Sequence, residues 1–154
     1  MGKTQIGGTG KTQITYDLYG HAVTLLTNMI YPHKDSIKLI YGIPRGGLPI
    51  ALHLSHHLDI PMAADKEEVE RVEYRNDEIL VVDDLTDTGK TLKELFYLWY
   101  DDSTHIKTAT LFFKPRKDLK GVLFKPDFYV FETLDWIIFP WEKEDEKPNR
   151  EGYE

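Results

Sequence analysis

The chain has 154 residues, room for one domain with a real core, and its net charge of −7 argues against a broad nucleic-acid-binding face. A hydrophobic share of 41% reads as globular, and the absence of cysteine excludes a disulfide framework, thiolate chemistry and a zinc ribbon. No apolar run approaches the length of a membrane span and the N-terminus has no secretory pattern, so we expect no transmembrane segment and a cytoplasmic setting.

In chain order, residues 1–14 carry an echo: Gly2-Lys3-Thr4-Gln5-Ile6 returns as Gly10-Lys11-Thr12-Gln13-Ile14. It is too short for a structural repeat and reads as a flexible lead-in to a single domain over 15–142. From Thr15 a helix is expected, with Leu18, Ala22, Leu25, Leu26 and Met29 on one face. A strand over 37–41 follows, then the turn Gly42-Ile43-Pro44-Arg45-Gly46-Gly47-Leu48 and a helix that aligns Leu48, Ala51, Leu52 and Ser55. Strand, glycine-rich turn and helix make an anion site from free N–H groups, a helix N-terminus and the Arg45 guanidinium. On that helix His53 and His57 are spaced to share a metal, but no third ligand lies at a useful spacing, so they read as a surface face. His21, His33 and His105 are isolated.

The interval between Ile60 and Ile79 is short and charged, with Asp65, Lys66, Glu67, Glu68, Glu70, Arg71, Glu73, Arg75, Asp77 and Glu78. Ile79-Leu80-Val81-Val82 then reads as a strand buried on both faces, as parallel strands are. Asp83 and Asp84 stand at its carboxyl end, where open α/β sheets bind ligands. Thr86, Asp87, Thr88 and Gly89 form the next loop, and a helix from there presents Leu92, Leu95, Phe96 and Trp99 to the core. Strands over 106–113 and 127–132 complete an alternation that predicts an α/β fold, a mostly parallel sheet flanked by helices with a small C-terminal extension. Residues 143–154 read as a polar tail.

A Walker A loop is excluded because position 84, five residues before Gly89-Lys90-Thr91, is Asp, and Gln5 fails the same test for Gly10-Lys11-Thr12. Leu85 stands where a haloacid-type phosphatase needs an acid. Adjacent carboxylates for hydroxyls beside a nest for phosphate describe a site for a phosphorylated sugar.

The run from Ile79 to Thr91 resembles the phosphoribosyl diphosphate (PRPP) motif of the type I phosphoribosyltransferases, and the resemblance extends from about Ile14 to Glu142. It implies that Asp83 and Asp84 face the ribose hydroxyls and that Thr86, Asp87, Thr88, Gly89, Lys90 and Thr91 wrap the 5′-phosphate. It places Asp87 near the purine N7 as the catalytic acid/base. The resemblance gives Arg45 and the amides of Gly46 and Gly47 to the pyrophosphate, and implies a cis peptide between Pro44 and Arg45. Mg2+ is the implied cofactor, with Asp84 the nearest protein acid.

The C-terminal elements look like those of bacterial xanthine-guanine and hypoxanthine phosphoribosyltransferases. By that resemblance Lys114, in Phe112-Phe113-Lys114-Pro115, donates to the exocyclic oxygen of a 6-oxopurine, Trp136 covers the base and Ile137 offers backbone groups to its edge. Glu142 stands where an aspartate is more usual. A homodimer or homotetramer with PRPP and a purine base as substrates is implied, and no nucleic-acid partner. The segment between Ile60 and Ile79 departs from the family, which carries a long mobile loop there; it reads either as a solvated edge or as an abbreviated lid. The alternatives to an enzyme are an RNA-binding regulator of the same fold and a PRPP-binding module with weak or no catalysis.

Overall fold

A computed structural model describes residues 4–5, 10–71, 77–99, 104–115 and 124–143. Helix α1 (Tyr16–Ile30) begins where a cap permits it: the Thr15 hydroxyl accepts the Leu18 N–H at 3.1 Å, and Asp17 adds negative charge to the first turn. A 3-10 turn (Tyr31–Ser36), entered through Pro32, leads into strand β3 (Ile37–Gly42). Helix α2 (Gly47–Leu58) follows and stops at Asp59, which takes the left-handed conformation at φ 56°. The short helix α3 (Lys66–Arg71) seats Val69 in the core, and Asp65 accepts the Glu68 N–H at 2.8 Å to start it. So the first part of the charged interval is a capped helix on the sheet, and Asp77 and Glu78 open the strand that follows; Glu73 and Arg75 lie outside the described residues.

The main sheet runs β1-β6-β5-β4-β3, every neighbour parallel, with β1 at Thr4–Gln5, β4 at Asp77–Thr86, β5 at Thr104–Phe113 and β6 at Phe128–Glu132. β4 is the spine of the molecule. Its residues Leu80 and Val82 pack with Leu26 of α1 and with Ile50 and Leu54 of α2, while Ile79 and Val81 pack with Val69 and with Leu92 and Leu95 of α4 (Lys90–Trp99). Strand alternation thus gives β4 two covered faces, as its unbroken apolar run requires.

After α2 the chain moves outward: Met62 bridges to Ile40 on the outer side of β3, with Ile40 N–H donating to Pro61 O at 2.9 Å. It then crosses back through α3 to β4 on the inner side. The direction of travel reverses between β3 and β4, and their carboxyl ends border the crevice where such sheets bind ligands. β3 stops at Gly42, opposite Val82, whereas β4 continues alongside β5 to the pair Thr86–Phe113. Asp83, Asp84 and Thr86 are therefore strand residues, and the connecting loop is only Asp87–Gly89. The apolar run alone predicts a strand that ends earlier; pairing with β5 carries it through its polar end.

Residues 1–14 differ more from expectation. Thr4 and Gln5 pair with Phe131 and Glu132 of β6, and β2 (Lys11–Gln13) pairs in parallel with β7 (Trp136–Ile138) in a second, two-stranded sheet. Each copy of the Lys-Thr-Gln echo thus adds a strand, and the segment is held rather than loose at both described places. Residues 1–3 and 6–9, and the tail from 144, lie outside the described residues.

Candidate active site

Two turns meet at the crevice. In the first, the Pro44–Arg45 peptide is cis, Arg45 is exposed, and Gly46 precedes α2. A side-chain carbon on Gly46 would overlap the carboxylate of Asp84, so the bare backbone lets that acid lie directly against the turn. Gly47 serves differently from expectation. Its N–H donates to Ile43 O at 2.8 Å, so that amide closes the turn instead of facing an anion, and a methyl there would strike the Val82 carbonyl. Its role is close approach of α2 to β4.

The second turn follows β4. A cleft there is lined by Asp83, Thr86, Asp87, Gly89, Lys90 and Thr91. Thr86 is 2% exposed, and its hydroxyl oxygen is buried without a hydrogen-bond partner among the described residues. Thr88 accepts the Lys90 N–H at 3.3 Å and so caps α4. Gly89 takes φ 76°, and a Cβ there would come within 2.7 Å of Phe124. Both the dihedral and the contact call for glycine.

Asp83 and Asp84 are neighbours on a strand and so start on opposite faces. Asp83 lines the cleft on the α4 side and its carboxylate accepts the Asp84 N–H at 2.8 Å. Asp84, on the α1/α2 side, leans on Gly46. The pair straddles the end of β4, one acid toward each turn.

A third group closes the crevice. The Lys114 N–H donates to Thr86 O at 2.9 Å, which fixes the residue just past the end of β5. Its ammonium lies 3.9 Å from the Asp87 carboxylate and 5.1 Å from the centre of the Trp136 ring. Trp136 is half-buried and Trp141 exposed, so neither indole simply fills the core. Ile137 buries its side chain completely. Trp136 N–H bonds Gly10 O and Ile138 O accepts from Ile14 N–H, both at 2.9 Å. In a parallel pair the alternate residue turns its amide and carbonyl away from the partner, so those of Ile137 point away from β2.

Asp135, which the sequence did not flag, fastens this wall. Its buried carboxylate accepts from Gly10 N–H at 3.2 Å and from the Thr12 hydroxyl at 2.6 Å, while its own N–H donates to Thr133 Oγ1. Glu142 holds the other end of β7, accepting the Phe139 N–H at 3.0 Å. Nothing in the sequence signals that Gly10 and Thr12 return to residue 135. On α2, His53 is half-buried, His57 is exposed, and their rings stack at 3.9 Å. No helix among the described residues is long and apolar enough to cross a membrane.

Comparison with known proteins agrees with this geometry. Residues 21–147 match the phosphoribosyl transferase domain family. The chain is 30% identical to the xanthine-guanine phosphoribosyltransferase of Cereibacter sphaeroides, across 72% of each chain. It is 31% identical to the hypoxanthine-guanine phosphoribosyltransferase of Lactococcus lactis, across 64% of this chain and 63% of that one. The crystal structure of a purine phosphoribosyltransferase from Pyrococcus horikoshii superposes with a TM-score of 0.72 at 29% identity, covering 92% of this chain and all of the other. Fold, crevice and sequence together make this chain a member of the phosphoribosyltransferase family, with xanthine-guanine and hypoxanthine-guanine phosphoribosyltransferases among its relatives.

Proposed function

We propose that the chain transfers the 5-phosphoribosyl group of PRPP to a 6-oxopurine (guanine, xanthine or hypoxanthine) and releases pyrophosphate. The observation that carries this reading is the placement of Lys114, whose one buried ammonium reaches toward both the Asp87 carboxylate and the Trp136 ring. A cation there suits an exocyclic carbonyl oxygen, and adenine presents an amino group at the same position. Indole supplies the flat face on which a base stacks.

The rest of the crevice distributes the substrate. The Thr86 hydroxyl, without a partner among the described residues, and the Asp87–Gly89 turn at the start of α4 suit the 5′-phosphate. Arg45 and the Gly46 turn suit the diphosphate, and the straddling acids Asp83 and Asp84 suit the ribose hydroxyls between them. Two carboxylates also fit Mg2+, which takes few ligands from protein and most from phosphates and water, with Asp84 the nearer to the diphosphate turn. When bound, the ion supplies positive charge to the departing diphosphate.

In the reaction the C1′–oxygen bond to the diphosphate breaks as the purine nitrogen bonds C1′, and the purine surrenders a proton. Arg45 holds the leaving anion, which is electrostatic preorganisation. Asp87 receives or steers the proton at purine N7, and Lys114 and Trp136 hold the base in line. The lack of cysteine suits a reducing cytoplasm, and sedimentation would show whether the chain forms the homodimer or homotetramer we expect.

The test is pyrophosphate release from PRPP with magnesium, each of guanine, xanthine, hypoxanthine, adenine and uracil being offered alone. Release with a 6-oxopurine is the expected result. Silence across all five bases, with PRPP still raising the melting temperature, would instead identify a ligand-binding module.

A further inference from the structure

We propose that Tyr19 is an additional substrate-binding residue, its phenolic hydroxyl donating a hydrogen bond to the diphosphate of PRPP. The proposal rests on the transferase reading above and adds to it a residue from α1, an element to which none of the site residues considered so far belongs.

Three observations converge. The Tyr19 hydroxyl is buried, yet among the described residues it has no hydrogen-bond partner. A donor withdrawn from water and left unbonded is costly, so such groups mark places where something polar is received. Its ring is held in place: Trp141 meets it edge-on at 5.2 Å, and Trp141 in turn stacks on Phe139 at 5.0 Å. Tyr19 therefore has an oriented oxygen on a fixed ring.

The third observation is which side of the sheet it occupies. Helix α1 covers the face of β4 that carries Leu80 and Val82, and Asp84 continues that alternation toward the crevice. Asp84 lies against Gly46, so the α1 side of β4 is also the side of the 44–47 turn. The cleft beside Thr86 and Asp87 opens on the α4 side instead. The anionic group of PRPP assigned to the 44–47 turn, on that side of β4, is the diphosphate. Burial and the nearby negative charge of Asp84 push the phenol up to about 12, so it remains a protonated donor beside an anion.

Tyr19→Phe removes the hydroxyl and keeps the ring. Calorimetric titration with PRPP, pyrophosphate and guanosine monophosphate, all with magnesium, reads the effect, because the nucleotide carries the 5′-phosphate and base but no diphosphate. We expect affinity for PRPP and pyrophosphate to fall about tenfold, the loss of one hydrogen bond to a charged group, with nucleotide affinity unchanged. The free variant should melt at or above the wild-type temperature, since the hydroxyl it lacks has no partner among the described residues. Unchanged PRPP and pyrophosphate affinity, an equal loss for all three ligands, or a lower melting temperature of the free variant would each overturn the proposal. Wild-type protein that binds none of the three would overturn the transferase reading, and this proposal with it.

Discussion

The ammonium of Lys114 and the carboxylate of Asp87 lie 3.9 Å apart, with only 7% of the lysine side chain exposed. That distance joins two elements, since Lys114 follows β5 and Asp87 follows β4, and their backbones are tied by the Lys114 N–H bond to Thr86 O. The residue proposed to read the base and the residue proposed to handle its proton thus form one unit. A base drawn to the cation arrives beside the acid, which couples recognition to chemistry.

Lys114→Met should keep most of the buried stem and delete the charge. We expect kcat/KM for the preferred 6-oxopurine to fall roughly 10- to 100-fold, the cost of a hydrogen bond from a charged donor. Preference over adenine should shrink in parallel, because adenine never used the ammonium. Steady-state kinetics with both bases checks this, and an unchanged ratio would remove Lys114 from base selection.

Asp87→Ala leaves the 86–91 backbone to hold phosphate while deleting the proposed proton acceptor. Turnover should drop on the order of 10²- to 10⁴-fold, the usual contribution of a placed acid or base, while PRPP binding stays measurable by calorimetry. Unchanged turnover would take Asp87 out of the mechanism.

Gly46 and Gly47 are adjacent but should fail in different ways. An added methyl at Gly46 meets the end of a movable side chain, Asp84, and Gly46 already has helical φ of −61°. Gly46→Ala should therefore leave the melting temperature level or raised, as glycine-to-alanine changes at compatible sites do, while weakening PRPP binding by displacing the acid. At Gly47 the methyl meets the Val82 backbone, which cannot swing aside. Gly47→Ala should lower the stability itself, by about 1–3 kcal/mol in urea unfolding. Equal behaviour of the two variants would contradict this division.

Much of this arrangement is legible before any coordinates. Ile79–Val82 announce a strand covered on both faces, and the Thr, Asp and Gly residues after them announce a turn into a helix, because those signals are local. What the sequence hides is non-local. β1 and β2 are only two and three residues long, and they become strands through partners more than a hundred positions away. Asp135 looks like any turn acid until Gly10 and Thr12 arrive at its carboxylate. The Gly47 amide reads as an anion donor until the turn curls it back on Ile43. Tyr19 sits beside Leu18 and the other apolar positions of α1, where its spacing alone suggests packing.

The fastening of the base wall gives another test. Asp135→Ala would take the carboxylate acceptor from Gly10 N–H and the Thr12 hydroxyl and weaken the attachment of β2 to β7, whose backbone hydrogen bonds remain. Losing a buried carboxylate that takes two hydrogen bonds should cost about 2–4 kcal/mol of stability. Because β7 carries Trp136 and Ile137, KM for the base should rise more than KM for PRPP. A rise confined to PRPP would show that the N-terminal strand supports the wrong side of the crevice.

Alkaline stability follows from Tyr129. Its phenol is 1% exposed and donates to Glu132 at 2.6 Å; burial first and the Glu132 bond second push it up to about 12 from an ordinary 10. Folding thus favours the protonated phenol. Below pH 10 both the folded and unfolded forms are protonated, and the benefit is fully present. Between pH 10 and 12 the unfolded chain ionises while the native one does not, so the contribution is lost as pH rises. Two pKa units correspond to about 2–3 kcal/mol. Tyr129→Phe should be less stable than wild type near neutrality, by about 1 kcal/mol for the lost hydrogen bond, yet decline less steeply in alkali. Urea unfolding of both proteins from pH 8 to 11.5 would show the two stability curves converging and then crossing, and parallel curves would mean that Tyr129 ionises as readily in the native protein as in the unfolded chain.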